Sequence, residues 1–344
     1  MPVPSETLSP SIDAVPDEVS IELRMQMHEA AVTGDCAEVE RLLGLPQGPM
    51  AARVGQLFMG DMTPLHEAIL ARKEAVARLL LPHSDVTARS HWTQTPLIAA
   101  TESGFPMLAN DLLAAGCDPN ARDGKKATAL IFAASMRCPE GLMVTEALMR
   151  VADPLAADEN GTTALMVAAA WDRAECVKLL LGKSDPRARD SSGRTAFLCA
   201  ACSGSPASLK ILALVSDTQA KDAKGRTALA LACESRCRES VAFLAPLVDW
   251  REQDEKGRDV FTAAWADREW MIADEIAFFA ESHGQRVPGL REIIMGETPE
   301  MFRKTRAILE AQDIQGVLAA DAPSQKERGE INPPKTARRL ARSL

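Results

Sequence analysis

The chain has 344 residues; 46% are hydrophobic, 25% charged and only 4% aromatic, with five Trp, nine Phe and no Tyr. So few rings argue against β-sandwiches and barrels, against stacking platforms for single-stranded nucleic acid and against the Trp and Tyr belts of membrane proteins. The net charge of −9 disfavours nucleic-acid binding, which rests on neutralising phosphates. No apolar run reaches the roughly 18 to 20 residues of a membrane span, and Ala, Leu and fourteen Met fill the apolar quota, as closely packed helices would.

In chain order, residues 1–18 are polar and Pro-dotted, with Glu6, Asp13, Asp17 and Glu18, no basic start and no apolar core. They are expected to be a disordered acidic segment rather than a secretory signal. The eight Cys sit singly in apolar helical patterns and are expected to be reduced thiols in a cytoplasmic compartment.

From residue 19 the chain repeats itself. After a degenerate copy at Met25–Ala30, Thr63-Pro64-Leu65-His66-Glu67-Ala68 returns at Thr95–Ala100, Thr128–Ala133, Thr163–Ala168, Thr195–Ala200 and Thr227–Ala232, with a worn copy at Asp259–Ala264. The spacings from Thr63 onward are 32, 33, 35, 32, 32 and 32. Upstream of the Thr, Asp158, Asp190, Asp222 and Asp254 are each followed three residues later by Gly161, Gly193, Gly225 and Gly257, a pattern suited to tight turns. The Thr fits a helix N-cap, with Pro64 and Pro96 at the first helical position. A leucine-rich stretch such as Ala174–Leu181 supplies a second helix with one buried face.

The register of Thr63–Ala68, together with the helix exit and turn at Leu112–Asp123, resembles the ankyrin repeat over about residues 21 to 284. The resemblance implies an all-α ankyrin-repeat solenoid of about eight stacked helix-turn-helix units with short hairpin-like turns. The expected division is 19–284 for the array, 285–320 for C-terminal capping helices that begin with Thr298-Pro299-Glu300, and 321–344 for a disordered basic tail. That tail holds six bases against two acids from residue 325 on. The exits at 82–85, 182–185, 214–217 and 246–249 depart from the family by lacking or displacing the glycine found at Gly116, so tighter exits are expected there. Enlarged loops are expected near Arg137–Gly141 and at Gly44–Gly60.

His66, and His28 in phase with it, are expected to be structural. No nucleophile elbow, zinc-helix motif or phosphate loop occurs, so no catalytic residue, metal site or cofactor is expected. Cys199-x-x-Cys202 with Cys233 and Cys237 raises a metal or redox-sensing alternative, weighed against Cys acting as a small buried hydrophobe. The stronger expectation is a non-catalytic scaffold that binds protein partners through its concave face and turn tips. By phase, Arg122, Lys125, Arg189, Arg194, Lys221, Arg226 and Arg258 form a basic ladder on the turn edge that suits acidic partner segments. The competing reading is that each Arg pairs with a turn Asp. Reversing Arg194 and Arg226 to Glu is expected to weaken binding while leaving the fold intact. Trp92 on a turn tip and Trp171 past a first helix are candidate partner contacts; Trp250, Trp265 and Trp270 are expected to seal the last unit. A monomer is expected, with no small-molecule substrate. A secreted effector exported by its basic tail, or a nuclear protein, is the further alternative.

Overall fold

A computed structural model describes residues 20–53, 62–137, 139–249, 251, 253, 257–266 and 269–282. The segments expected at 1–18, 285–320 and 321–344 lie outside the described residues, as do Trp250 and the side chains of Trp265 and Trp270. The chain divides into two compact units, Met1–Val260 and Phe261–Leu344.

Among its described residues the first unit holds seven helix pairs: α1 (Ile21–Thr33) with α2 (Cys36–Leu43), α4 (Pro64–Leu70) with α5 (Glu74–Leu80), α6 (Pro96–Glu102) with α7 (Pro106–Ala114), α8 (Ala129–Ser135) with α9 (Glu140–Leu148), α10 (Ala164–Ala170) with α11 (Ala174–Leu181), α12 (Ala196–Cys202) with α13 (Pro206–Leu212), and α14 (Ala228–Glu234) with α15 (Arg238–Leu244). A single extra turn, α3 (Gly48–Ala51), lies in the first junction. From the boundary at Val260 onward, α16 (Val260–Ala266) and α17 (Trp270–Ser282) repeat the short-helix, second-helix order that the worn copy predicts.

Each first helix packs on the next first helix, and each second helix on the next second helix, from α1 to α15. The repeated sequence explains this. Leu65, Leu97, Leu130, Leu165, Phe197 and Leu229 occupy one register position and are all buried. The Ala pairs behind them, such as Ala133 and Ala134, let neighbouring helices approach closely. Second helices add Leu80, Leu112, Leu148, Leu180, Leu212 and Leu244. No pair could hide these faces alone, so stacking supplies the core. Among the described residues there are no strands, only isolated bridges such as Arg122 to Thr128.

Helix starts follow the Thr. Thr63, Thr95, Thr163, Thr195 and Thr227 each accept a hydrogen bond from the backbone N–H three residues on. Thr128 does not, and its hydroxyl is buried without a partner. This distinguishes two otherwise equivalent substitutions. Thr195→Val is expected to lose about 1 kcal/mol, the usual worth of a cap, whereas Thr128→Val should change stability by less than about 0.5 kcal/mol because it removes an unsatisfied group. Urea melts of the two variants check this.

The exits bear out the glycine reading. At Gly116 (φ +90°) the chain turns left-handed, and Cys117 N–H closes on the Leu112 carbonyl five residues back. In the 32-residue units the closing N–H reaches only four residues back, Ser184 to Leu180, Ser216 to Leu212 and Val248 to Leu244. The right-handed conformation continues through Gly182, Ala213 and Ala245, and one residue is saved. After α5 a 3-10 turn, Leu81–His83, does the same work. The loop between α8 and α9 spans 136–139, one residue longer than 203–205 in the next-but-one unit. In the first junction Gly48 lies so close to the Leu42 carbonyl that no side chain could be added there.

Candidate protein-binding face

The turn tips form a continuous edge. In four tips an Asp side chain accepts two backbone N–H bonds: Asp123 from Lys125 and Ala127, Asp158 from Asn160 and Thr162, Asp190 from Ser192 and Arg194, Asp222 from Lys224 and Arg226. Successive tips are then joined by one recurring bond. Gly124 N–H donates to the Trp92 carbonyl, Glu159 to Lys125, Ser191 to Asn160 and Ala223 to Ser192, at 2.7–3.2 Å.

The basic residues divide into two kinds. Arg89, Arg122 and Arg189 each donate to the carbonyl at their own position in the next unit, those of Arg122 (2.7 Å), Ala157 (3.2 Å) and Lys221 (2.7 Å). They stitch the stack, yet these partners are neutral carbonyls, so among the described residues the positive charge stays uncompensated on the exposed edge. Lys125 and Lys221 are exposed beside them, and Arg258 is half-buried. Arg194 and Arg226 behave differently. Arg194 grips Asp190 (3.0 and 2.9 Å) and reaches the Cys202 sulfur (3.7 Å); Arg226 grips Asp222 (2.8 and 2.7 Å) and Glu234 (2.7 Å). Both turn carboxylates are buried, so the expectation that charge reversal at these two positions spares the fold is corrected: it would set a Glu against a buried Asp. At Asp222 burial works to raise the carboxyl pKa, but the backbone and side-chain hydrogen bonds of Arg226 outweigh it and hold the pKa below its ordinary value.

These contacts also fix which residues share a face. The residue before the capping Thr bonds to the last residue of the following first helix in three units: Gln94 to Glu102, Arg194 to Cys202 and Arg226 to Glu234. The tips and the C-terminal ends of the first helices therefore border one surface. Trp92 sits on it at a tip, 54% exposed, with the His91 ring 4.2 Å away centroid to centroid. Trp171 caps α10 and is 60% exposed. Its backbone is fixed from both sides. Asp172 stands in the left-handed region (φ +55°) and accepts the Ser208 N–H at 2.8 Å; Arg173 Nε donates to the Ser135 carbonyl at 3.4 Å; the Ala170 carbonyl accepts the Ser205 hydroxyl at 2.9 Å. Sequence reasoning missed Phe132, Met136 and Val167, partly exposed on the same surface; reading the register column of Trp171 across units would have found Met136.

His66 is buried. Thr63 hydroxyl donates to Nδ1 (2.9 Å) and Nε2–H donates to the Gln94 carbonyl of the next unit (3.1 Å), so the ring ties two units together as a neutral group. His28 reaches the Glu67 carboxylate of the next unit at 2.6 Å. Burial lowers the His66 pKa to about 4, against a smaller raising effect of the Gln94 carbonyl. Because the folded value lies below the unfolded one, the unfolded chain binds the extra proton between about pH 6.5 and 4. The ring's contribution is present in full above pH 6.5 and falls away on acidification, by up to about 3 kcal/mol. Stability curves across that window should show this slope, and His66→Gln should flatten it.

Among the cysteines, burial pushes the Cys117 and Cys199 thiols up to about 12 and the Cys233 thiol upward as well. Cys202 and Cys237 are half-buried, and among the described residues no three metal-ligating side chains come together. No helix among the described residues is long and apolar enough to cross a membrane.

The family model for ankyrin repeats matches three times, at residues 27–123, 98–190 and 173–254. The chain is 30% identical to mouse and to human inversin over 160 residues, 46% of this chain and 15% of those proteins. It is 34% identical to the zebrafish neurogenic locus notch homolog protein 1 over 84 residues, 24% of this chain and 3% of that protein. The chain thus spans a small part of the relatives it matches. Repeat register, helix stacking, tip ladder and the three matches agree, and the chain belongs to the ankyrin-repeat family.

Proposed function

We propose that this chain is a monomeric, non-catalytic scaffold that holds a protein partner on the face formed by its first helices and turn tips. Ankyrin repeats are generally protein–protein interaction modules, and the family is typically non-catalytic. The observation that carries the reading is the exposed indole of Trp171 on a backbone pinned by both neighbouring units. A large apolar side chain that is already ordered loses little entropy on docking, and Trp is among the residues that dominate binding energy. Trp92, Arg122, Lys125, Arg189 and Lys221 extend the contact along the tips and steer acidic partner segments. Arg258 extends this row, whereas Arg194 and Arg226 are neutralised in their ion pairs and brace the tips. The free cysteines among the described residues support a reducing compartment such as the cytoplasm as its place of work.

Affinity capture from native lysate tests this. Wild-type protein and a Leu214→Ser control, altered on an exposed exit loop, should retain the same partner; Trp92→Ser with Trp171→Ser should lose it. Capture indifferent to the double Trp variant would reject the face.

A further inference from the structure

The face is not uniform along the array. Along the first helices, the second pair carries Glu67, held by His28, and the third and seventh end on Glu102 and Glu234. Between them, the fourth and fifth pairs present Phe132, Ser135, Met136, Val167, Ala170 and Trp171, all at least partly exposed and none charged. The hydrogen bond from Arg173 to the Ser135 carbonyl holds the Trp171 turn against the end of α8, so this is one continuous strip. The turn edge beside it is basic on both flanks. Arg122 and Arg189 keep their charge while bonding only carbonyls, and the Lys125 ammonium meets no carboxylate or carbonyl among the described residues. Only the tip between them, with Asp158 and Glu159, is acidic.

We infer that the occupant of this face is a linear partner segment with an apolar anchor seated on the Trp171 strip and an acidic residue placed to meet Lys125 or Arg189. The inference rests on the proposed function and adds the partner's chemistry and spacing. The strip and the tips are separated by one seven-residue helix, about 10 Å, and by about one helix width of 8–10 Å sideways. An extended segment advances about 3.3 Å per residue. Anchor and acid should therefore stand about three to five residues apart.

The test is selection of displayed random linear peptides on the full chain, followed by affinity measurement of the enriched peptides as synthetic probes. Enriched sequences should pair Leu, Met or an aromatic with Asp or Glu at that spacing. Trp171→Ser should weaken them roughly tenfold or more. Lys125→Glu should weaken them at low salt and make little difference at high salt, where exposed charges are screened. Both positions are exposed, so the variants should melt with the wild type. Enriched peptides that lack the pair, or that ignore both variants, overturn the inference; if those peptides still compete with the captured partner, the proposed function stands. Enrichment of nothing overturns the linear-segment inference, and the proposed function then fails only if capture also survives the double Trp variant.

Discussion

Phe197→Ala is expected to destabilise the first unit by about 4 kcal/mol, the range for emptying a large, fully buried aromatic position. Phe197 stands where the other five Thr-led copies carry Leu65, Leu97, Leu130, Leu165 and Leu229, and it is among the largest fully buried side chains. Its helix α12 packs on α10, α13 and α14, so the cavity would open at a junction between units rather than inside one. In a stacked array, stability is approximately a sum of unit and interface terms. Weakening a central interface should therefore split the transition as well as shift it. Urea unfolding followed by circular dichroism should show a lower midpoint and a shallower slope. A single transition of unchanged slope and midpoint would contradict this view of the core.

Arg226→Glu is expected to cost about 3 kcal/mol, near the lower end for breaking a buried ion pair from one side. The Asp222 side chain is 1% exposed and accepts three hydrogen bonds, from the Lys224 and Arg226 backbone and from Arg226 Nε, with Arg226 Nη2 2.7 Å away in the ion pair. The substitution removes the guanidinium and places a second carboxylate beside Asp222 and Glu234. The pH dependence gives an independent check. A carboxyl whose folded pKa lies below its ordinary value contributes stability above about pH 4, and that stability is lost as pH falls through the folded value. Wild-type protein should lose this contribution in acid. The variant, already without the pair, should lose less as pH falls below about 4. Equal stability of the two proteins at pH 7 would contradict the assignment of Arg226 as an internal brace.

These two residues mark what could and could not be read from sequence. Phe197 was legible: its register position repeats through the chain, and residues at one position of a stacked helix share one environment. The repeating cap Thr and the closing Gly161, Gly193 and Gly225 were legible for the same reason, as was the exposure of Trp92 and Trp171; Thr93 and Lys126, which take the Gly place in their tips, were not. The role of Arg226 was only half legible. Its spacing from Asp222 is compatible with either an exposed ladder or an internal pair, and burial of the Asp decides between them. Burial depends on the neighbouring unit, which no local pattern reports. The left-handed residues Arg72, Asp172 and Arg236 were invisible because Gly holds that place at Gly104 and Gly204, and only the stack compels a side-chain-bearing residue into it. The missing cap at Thr128 was hidden likewise, since its sequence context matches the capped copies.

The central claim is that the first-helix and tip face, not the second-helix face, meets the partner. Oxidative footprinting of the captured complex tests it most directly, because oxidisable exposed side chains lie on both faces. Trp92, Met136 and Trp171 report the first-helix and tip face; Met107 and Met143, exposed on α7 and α9, report the other. The account predicts that the partner protects Trp171 and Met136 strongly and Trp92 measurably, while Met107 and Met143 oxidise as fast as in the free protein. Protection of Met107 and Met143 with Trp171 left reactive would contradict it.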